Sequence, residues 1–292
     1  MQSYLYFPGC SLRTTAISFD ASARFCAEAL GFELKEMQGW LCCGAVYSNV
    51  ADSLMTCSGP NRILARARAE GKSNTLVTLC AGCYNVLKRT NLQAQRNAVR
   101  QEQINEFNEE FYTGGLDVLH FLELLRDRVG YATVKKTVKT PLRGLRVGAY
   151  YGCLLLRPFI EMRFDDPHRP TVLEDLLAAI GCTSVEYPSR TECCGSYLSI
   201  GSPETMMQLS RGIVQSARSN GAKILAVSCP LCEYNLNASQ NQDPAAPEYA
   251  PLPVVYFTQL LGLALGLDPE RLQLDPLQLQ AIHASMQATV GK

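Results

Sequence analysis

Short apolar runs alternate with longer segments of helical spacing in the first half of the chain. Residues 4–7, 32–35 and 75–79 are compact apolar or alternating runs, which are typical of β-strands. Residues 15–30 and 47–69 carry their apolar side chains at helical intervals, which predicts helices. Strands and helices that alternate along a chain predict a parallel sheet of the α/β class.

The second half of the chain repeats this order of elements. Residues 145–150, 184–187 and 223–228 predict strands, and residues 171–180 and 203–220 predict helices. The repetition at an offset of roughly 150 residues indicates a tandem duplication of a domain-sized unit. The pattern therefore predicts two tandem, pseudo-symmetric, Rossmann-like parallel α/β repeats.

The segments outside the repeats are assigned by composition. Residues 101–110 are acid-rich, and residues 134–146 carry five basic side chains. We expect these segments to be a solvated surface excursion, that is, a solvent-exposed segment outside the core, and a linker. The alternative is a strip that docks a partner. Residues 240–253 predict a loop, and residues 254–267 and 275–290 predict closing helices. The repeats are accordingly predicted at residues 1–133 and 134–292.

Composition excludes several classes of protein. Of the 292 residues, 47% are hydrophobic, and the formal net charge is zero. A balanced charge provides no attraction for nucleic acid or for an acidic membrane surface. The longest apolar run, residues 252–267, is shorter than the ~20 residues of a membrane span. The opening residues lack the basic region of a signal peptide. We therefore expect a cytoplasmic protein, with peripheral attachment to the cytoplasmic face of a membrane as the alternative.

Ten of the thirteen cysteines fall into one five-cysteine pattern, and the pattern occurs twice. The first set is Cys10, Cys42, Cys43, Cys80 and Cys83, and the second set is Cys153, Cys193, Cys194, Cys229 and Cys232. Intervening residues number 31, 36 and 2 in the first set and 39, 34 and 2 in the second. In each set, the first cysteine and the CxxC motif follow a predicted strand. Because the carboxyl ends of parallel strands meet at one edge of a sheet, we expect each set to gather there.

Three kinds of chemistry compete for these thiols. Disulfides need an oxidising compartment, and thirteen cysteines without an export sequence indicate a reducing one. Zinc usually takes four ligands as two chelating pairs, whereas here adjacent cysteines diverge and a fifth is left over. An iron–sulfur cluster has several iron atoms, so neighbouring thiolates can each find their own. The spacing therefore favours iron–sulfur clusters, with a zinc-bound structural subunit as the alternative.

The other chemically distinctive residues have plain structural interpretations. Cys26, Cys57 and Cys182 have no counterpart in the other repeat, and we interpret them as small buried side chains. Cys57 alone is a candidate redox thiol. His120 lies in a predicted apolar helix and is interpreted as a core histidine, with a proton donor near the first set as the alternative. Trp40, just before the first cysteine pair, is expected to shield that set or to pack in the core.

The doubled pattern resembles the cysteine-rich CCG repeat found in the B subunit of heterodisulfide reductase. Three features carry the resemblance: the ten cysteines, the opening Phe7-Pro8-Gly9-Cys10 and the segment 256–267. Related repeats occur in subunits of lactate and glycolate oxidation systems, in sulfur-oxidising heterodisulfide-reductase-like complexes and in the fourth subunit of type E succinate dehydrogenases. The resemblance extends from about residue 4 to residue 267.

The resemblance implies that each of the two sets holds a noncubane [4Fe–4S] cluster. It implies that the chain acts with ferredoxin-like iron–sulfur and flavin-bearing subunits, on a disulfide-type substrate that the two clusters flank. The alternative is a type E succinate dehydrogenase, in which the chain passes electrons to quinone. No glycine-rich nucleotide fingerprint is present, so we expect the electrons to arrive from another subunit. The sequence identifies no catalytic residue beyond the metal ligands.

Overall fold

Two four-stranded parallel sheets, one in each half of the chain, organise the molecule. The computed structural model describes residues 2–45, 54–71, 73–241 and 251–290, with side chains in these ranges except at residues 241 and 288–290. Both sheets have the same strand order, in which the second strand lies at one edge, then the first, the third and the fourth. This confirms two tandem α/β repeats.

The first sheet contains β1 (Gln2–Phe7), β2 (Phe32–Glu36), β3 (Thr75–Thr78) and β4 (Asp117–His120). The described helices of this half are α1 (Ile17–Ala29), α2 (Leu54–Ala69), α3 (Ala81–Arg96), α4 (Ala98–Asn108), α5 (Phe121–Leu124) and α6 (Tyr131–Thr137). Predicted helical residues 47–53 lie outside the described residues. The predicted repeat boundary, between residues 133 and 134, falls inside α6 and stays a prediction.

The second sheet contains β5 (Arg146–Tyr150), β6 (Thr183–Val185), β7 (Ile224–Val227) and β8 (Val254–Tyr256). The described helices of this half are α7 (Phe159–Met162), α8 (Val172–Ala179), α9 (Pro203–Ser219), α10 (Pro230–Asn241), α11 (Phe257–Ala264) and α12 (Pro276–Val290). β7 is buried along its whole length, as expected for an inner strand of a parallel sheet covered on both faces.

Each sheet has a fourth strand that the sequence pattern did not predict. The pattern predicts that residues 254–256 begin a helix and that His120 lies within one, but residues 254–256 form β8 and His120 is the last residue of β4. An apolar strand here runs directly into an apolar helix, and periodicity does not separate the two. In each half, the boundary between the strand and the helix is marked by a side chain that accepts a hydrogen bond from the last residue of the strand, three residues earlier. The His120 N–H donates to Glu123 Oε2 at 3.0 Å, and the Tyr256 N–H donates to Gln259 Oε1 at 2.9 Å.

The expectation of a solvated excursion at residues 101–110 is wrong. Most of the segment belongs to α4, which packs against α2 and buries a polar face. Gln101 Nε2 donates to Asn61 Oδ1 at 2.9 Å and to the Tyr112 carbonyl at 2.8 Å. Asn105 Nδ2 donates to the same carbonyl at 2.9 Å. These buried amides have partners, so a polar sequence here accompanies a packed helix rather than a solvated loop.

The two halves pack against each other through equivalent helices. α1 of the first half lies against α11 of the second, and α5 of the first half lies against α8 of the second. Phe19 on α1 stacks on the Tyr256 ring, with ring centroids 4.2 Å apart, and Ser22 Oγ lies 2.6 Å from Thr258 Oγ1. The core is therefore continuous across the two sheets.

We expect Phe19→Ala to destabilise the fold strongly. Phe19 is fully buried between the halves, so its removal should lower the free energy of unfolding by about 3–5 kcal/mol. Phe111→Ala is the matched control: that ring is 79% exposed, and its loss should change the free energy by less than about 0.5 kcal/mol. Chemical denaturation of both variants measures the difference, and equal effects would contradict the proposed packing role.

The C-terminal helix packs on the rest of the fold through three apolar side chains. In α12, Ile282 is buried, and Leu279 and Met286 pack against the core. The apolar face of this helix is therefore used within the molecule. Across the described ranges, no helix combines the length and apolar character needed to cross a bilayer.

Candidate metal centres

All thirteen cysteines are free thiols, and the ten patterned ones lie where the strands of each sheet end. Cys10 and Cys153 follow β1 and β5, and the two CxxC motifs follow β3 and β7. No sulfur is bonded covalently to another, although several pairs lie close together. The fold thus delivers thiols from distant parts of the sequence to one edge of each sheet.

The two cysteines of each adjacent pair diverge toward different partners. The first of the pair meets the first cysteine of its set, and the second meets the last cysteine of the CxxC motif. The Sγ–Sγ distances are 3.9 Å for Cys42–Cys10, 3.3 Å for Cys43–Cys83, 3.6 Å for Cys193–Cys153 and 3.6 Å for Cys194–Cys232. Both halves therefore have the same pairing scheme.

A glycine before the first cysteine of each set makes room for a sulfur. Gly9 has φ +73°, and a Cβ added there would lie 3.0 Å from Cys83 Sγ. Gly152 has φ +64°, and its Cβ would lie 3.2 Å from Cys232 Sγ. Only glycine tolerates both this backbone conformation and this close approach. The backbone thus forms a matching cradle beside the last cysteine in each half.

Backbone N–H groups also point at the sulfurs. Gly44 N lies 3.5 Å from Cys42 Sγ, and Gly195 N lies 3.4 Å from Cys193 Sγ. Cys80 is the N-cap of α3, and Cys229 immediately precedes α10. The positive end of a helix dipole and N–H donors both favour a thiolate.

The two sets touch each other at the boundary between the halves. The Cys80 and Cys229 side chains interact: this interaction is the largest cause of the raised pKa of Cys80 and the second-largest cause of the lowered pKa of Cys229. Beside them, the Ala81 N–H donates to the Ser228 carbonyl at 3.4 Å. The CxxC motif of one half therefore meets the CxxC motif of the other, which places the two candidate centres side by side.

Interactions among the sulfurs shift their pKa values in opposite directions. Interaction with the Cys42 side chain, and then with that of Cys83, lowers the pKa of Cys43 well below its ordinary value. Interaction with the Cys232 side chain does the same for the pKa of Cys229, and interaction with that of Cys153 lowers the pKa of Cys193 to about 6. Interaction with a neighbouring sulfur raises the pKa of five others: Cys42, Cys80, Cys83, Cys153 and Cys232. Each set thus combines cysteines with a lowered pKa and cysteines with a raised one.

The residues present fit a sulfur-bridged metal cluster. Among the described residues, no three Cys, His, Asp or Glu side chains converge on one ion position, and the sulfurs meet in pairs instead. Soft thiolates without imidazole or carboxylate partners are the donor set of iron–sulfur clusters. A group with several iron atoms can satisfy separate sulfur pairs, and the glycine cradles leave space beside Cys83 and Cys232.

His120 has a structural role. It is fully buried, its Nε2 lies 2.6 Å from the Leu79 carbonyl, and its Nδ1 accepts from Leu122 N at 3.2 Å. This pairing fixes the proton on Nε2. Burial lowers the pKa of His120 to about 4, so the ring stays neutral near pH 7. Both ring nitrogens are engaged, which supports the interpretation as a core histidine over that as a proton donor.

The other singled-out residues also pack as expected. Cys26, Cys57 and Cys182 are all buried, and Cys26 Sγ donates to the Thr258 carbonyl at 3.3 Å. Trp40 packs edge-on against Phe7, with its Nε1–H donating to Glu36 Oε1 at 3.1 Å. Trp40 therefore anchors the loop before the first cysteine pair.

Three polar side chains hold the cysteine-containing loops in place, and the sequence pattern did not predict them. Asn85 Nδ2 donates to the carbonyls of Leu154 and Arg157, at 2.8 and 2.7 Å, so α3 of the first half holds the loop after Cys153. Asn235 Nδ2 and Ser210 Oγ both donate to the Cys194 carbonyl, at 3.4 and 2.9 Å. The sequence does show that both asparagines follow a CxxC motif closely. The carbonyl groups to which they donate are set by the tertiary packing, which the sequence pattern does not reveal.

A family model described as the cysteine-rich CCG domain matches residues 4–88 and 147–237. The 8-methylmenaquinol:fumarate reductase membrane anchor subunit of Wolinella succinogenes is 33% identical over 278 residues, which are 94% of this chain and 96% of that protein. The B subunit of the ferredoxin/F420H2-dependent CoB–CoM heterodisulfide reductase of Methanosarcina acetivorans is 26% identical over 287 residues, 95% of this chain and 94% of that protein.

Among solved structures, a hypothetical protein from Helicobacter pylori superimposes with a TM-score of 0.76 at 14% sequence identity. The superposition covers 94% of this chain and 51% of that one, so the chain spans about half the length of that structure. This likeness concerns the fold alone.

Proposed function

Because the chain belongs to the family of the cysteine-rich CCG domain, we propose that it is the electron-transferring subunit of a larger reductase and that it holds two noncubane [4Fe–4S] clusters. Its relatives are oxidoreductase components named as subunits of multi-subunit reductases. The observation that carries the proposal is the identical sulfur pairing in the two halves. The first set would hold one cluster and the second set the other.

The chain's own residues would bind and shield such clusters. Cys43, Cys80 and Cys83 are buried, whereas Cys10 and Cys42 are exposed. A cluster in the first set would therefore be buried on the side of the first three cysteines and accessible to solvent on the other side. In the second set, Cys194, Cys229 and Cys232 are buried in the same way. A bound iron–sulfur cluster supplies single-electron redox chemistry.

Metal analysis tests this proposal. Anaerobic reconstitution with iron and sulfide should give about eight iron atoms per chain, as two four-iron clusters require. The product should be brown and show an electron paramagnetic resonance signal in at least one redox state. A chain that binds stoichiometric zinc, or no more than one iron per set, would contradict the proposal and favour a zinc-bound structural subunit.

A disulfide-type substrate is the first candidate acceptor or donor. The Cys80 and Cys229 side chains bring the two sets side by side, so clusters held by the two sets would be neighbours and could each supply one of the two electrons that reduce a disulfide. Relatives named as B subunits of heterodisulfide reductases support this candidate. The reduced, reconstituted chain should then be oxidised by a disulfide with a rate that depends on disulfide concentration.

Quinone is the second candidate, with the chain attached peripherally to a membrane and linked to a flavin-bearing dicarboxylate subunit. The 33% identity over nearly the whole of both chains to a subunit of an 8-methylmenaquinol:fumarate reductase favours it. A water-soluble menaquinone analogue should then oxidise the reduced chain faster than any disulfide does. Oxidation by disulfide alone would remove the quinone candidate.

A further inference from the structure

The second set receives a side-chain hydrogen bond that has no counterpart at the first set among the described residues. Asn235 lies on α10, three residues after Cys232, and its Nδ2 is 3.5 Å from Cys194 Sγ. Asn235 is 1% exposed and Cys194 is 2% exposed, so water does not compete for this contact. An N–H group inside the protein therefore points at a predicted metal ligand.

Neighbouring groups fix the orientation of this amide. The same Nδ2 lies 3.4 Å from the Cys194 carbonyl oxygen, which accepts hydrogen bonds and cannot donate one. On the other side, Ser199 Oγ lies 3.4 Å from Asn235 Oδ1 and donates its proton to the Ser196 carbonyl at 3.0 Å. A flipped amide would place two oxygens against each other at Cys194. The nitrogen consequently faces the sulfur.

The equivalent position in the first half is apolar. Val86 lies three residues after Cys83 and is 2% exposed. In the described part of the chain, no side-chain nitrogen donates to a sulfur of the first set. The same fold therefore gives the two sets different surroundings at one matched position.

We propose that Asn235 raises the reduction potential of the second cluster above that of the first, so that electrons pass from the first half of the chain to the second. This inference rests on the proposed function. Reduction adds negative charge to a cluster, and an N–H donor or a cation beside its sulfurs stabilises that charge. Asn235 is therefore a tuning residue that acts through Cys194.

Solvent exposure acts in the opposite direction. Cys10 and Cys42 are exposed, and water at the rim of the first set also stabilises added negative charge. The Asn235 contact lies in a dry interior, where a hydrogen bond is electrostatically stronger than in water. We therefore assign the larger effect to Asn235 and test it by exchanging the matched residues rather than by comparing the two sets alone.

The test is a redox titration of the reconstituted chain, followed by electron paramagnetic resonance. Asn235→Leu removes the donor at similar volume and should lower the higher of the two potentials, with iron content and signal shape unchanged. Val86→Asn supplies a donor at the matched position and should raise the lower potential. The two variants together should bring the potentials closer.

Each outcome has a distinct meaning. A wild-type chain without iron–sulfur clusters would overturn the proposed function itself. Clusters whose potentials are the same in wild type and Asn235→Leu would overturn only this inference. If Asn235→Leu loses iron from the second set, Val86→Asn decides: a raised potential supports tuning by the donor, and an unchanged one shows that the asparagine is structural only.

Discussion

Cys43→Ala should remove the cluster of the first half and leave that of the second. The Cys43 side chain is buried, and its sulfur lies 3.3 Å from Cys83 Sγ within its own set. Removing it leaves four thiols in a site built for five. Reconstituted protein should therefore contain about half of the wild-type iron, as loss of one of two four-iron clusters requires. Iron and sulfide analysis, with electron paramagnetic resonance, measures the loss.

Cys57→Ala is the control for this experiment. Cys57 is buried as well, but it belongs to neither set, so the variant should keep the full iron content. Because Cys80 and Cys229 bring the two sets next to each other, loss of one cluster without the other is a strict test of their independence. Loss of both clusters from Cys43→Ala would show that the sets form one cooperative site instead of two.

Gly9→Ala should have an effect of similar size on the first set without removing a thiol. The new Cβ would lie 3.0 Å from Cys83 Sγ and 3.3 Å from the Phe7 ring, and both neighbours are buried. A side chain at φ +73° adds about 1–2 kcal/mol of backbone strain. We expect a lower free energy of unfolding, together with loss of the iron bound by the first set.

Gly115→Ala separates strain from displacement of the sulfur. Gly115 has φ +92°, but no atom outside its chain neighbours lies within 4 Å of an added Cβ. This variant should lose comparable stability and keep its iron. Denaturant unfolding and iron analysis on the two variants give the comparison. Equal iron content in both would mean that the close approach at Gly9 has no role in the site.

The order of most elements could be predicted from the sequence because local pattern determines it. β1, β3, β5 and β7 are apolar runs that end near a cysteine, and the helices α1 and α9 have clear amphipathic spacing. The divergence of the adjacent cysteines also followed from local geometry, and the structure shows it in both halves.

What could not be predicted depends on contacts between distant segments. β4 and β8 are three or four residues long and merge with the helices after them, so no periodicity marks them. From its sequence, the polar face of α4 is expected to face solvent, but in the structure α2 and Tyr112 provide its hydrogen-bond partners. The Cys80–Cys229 contact requires knowledge of how the halves meet. Nothing within either repeat encodes that arrangement locally.

The reciprocal packing of α1 on α11 and of α5 on α8 has an evolutionary consequence. An ancestor with a single repeat would expose both of these helix faces, and the natural way to cover them is a second copy related by a two-fold axis, that is, an isologous homodimer. Gene fusion would have made that dimer permanent. Once fused, either protomer was free to accumulate changes on its own, as at Val86 and Asn235, which a symmetric assembly of identical chains forbids.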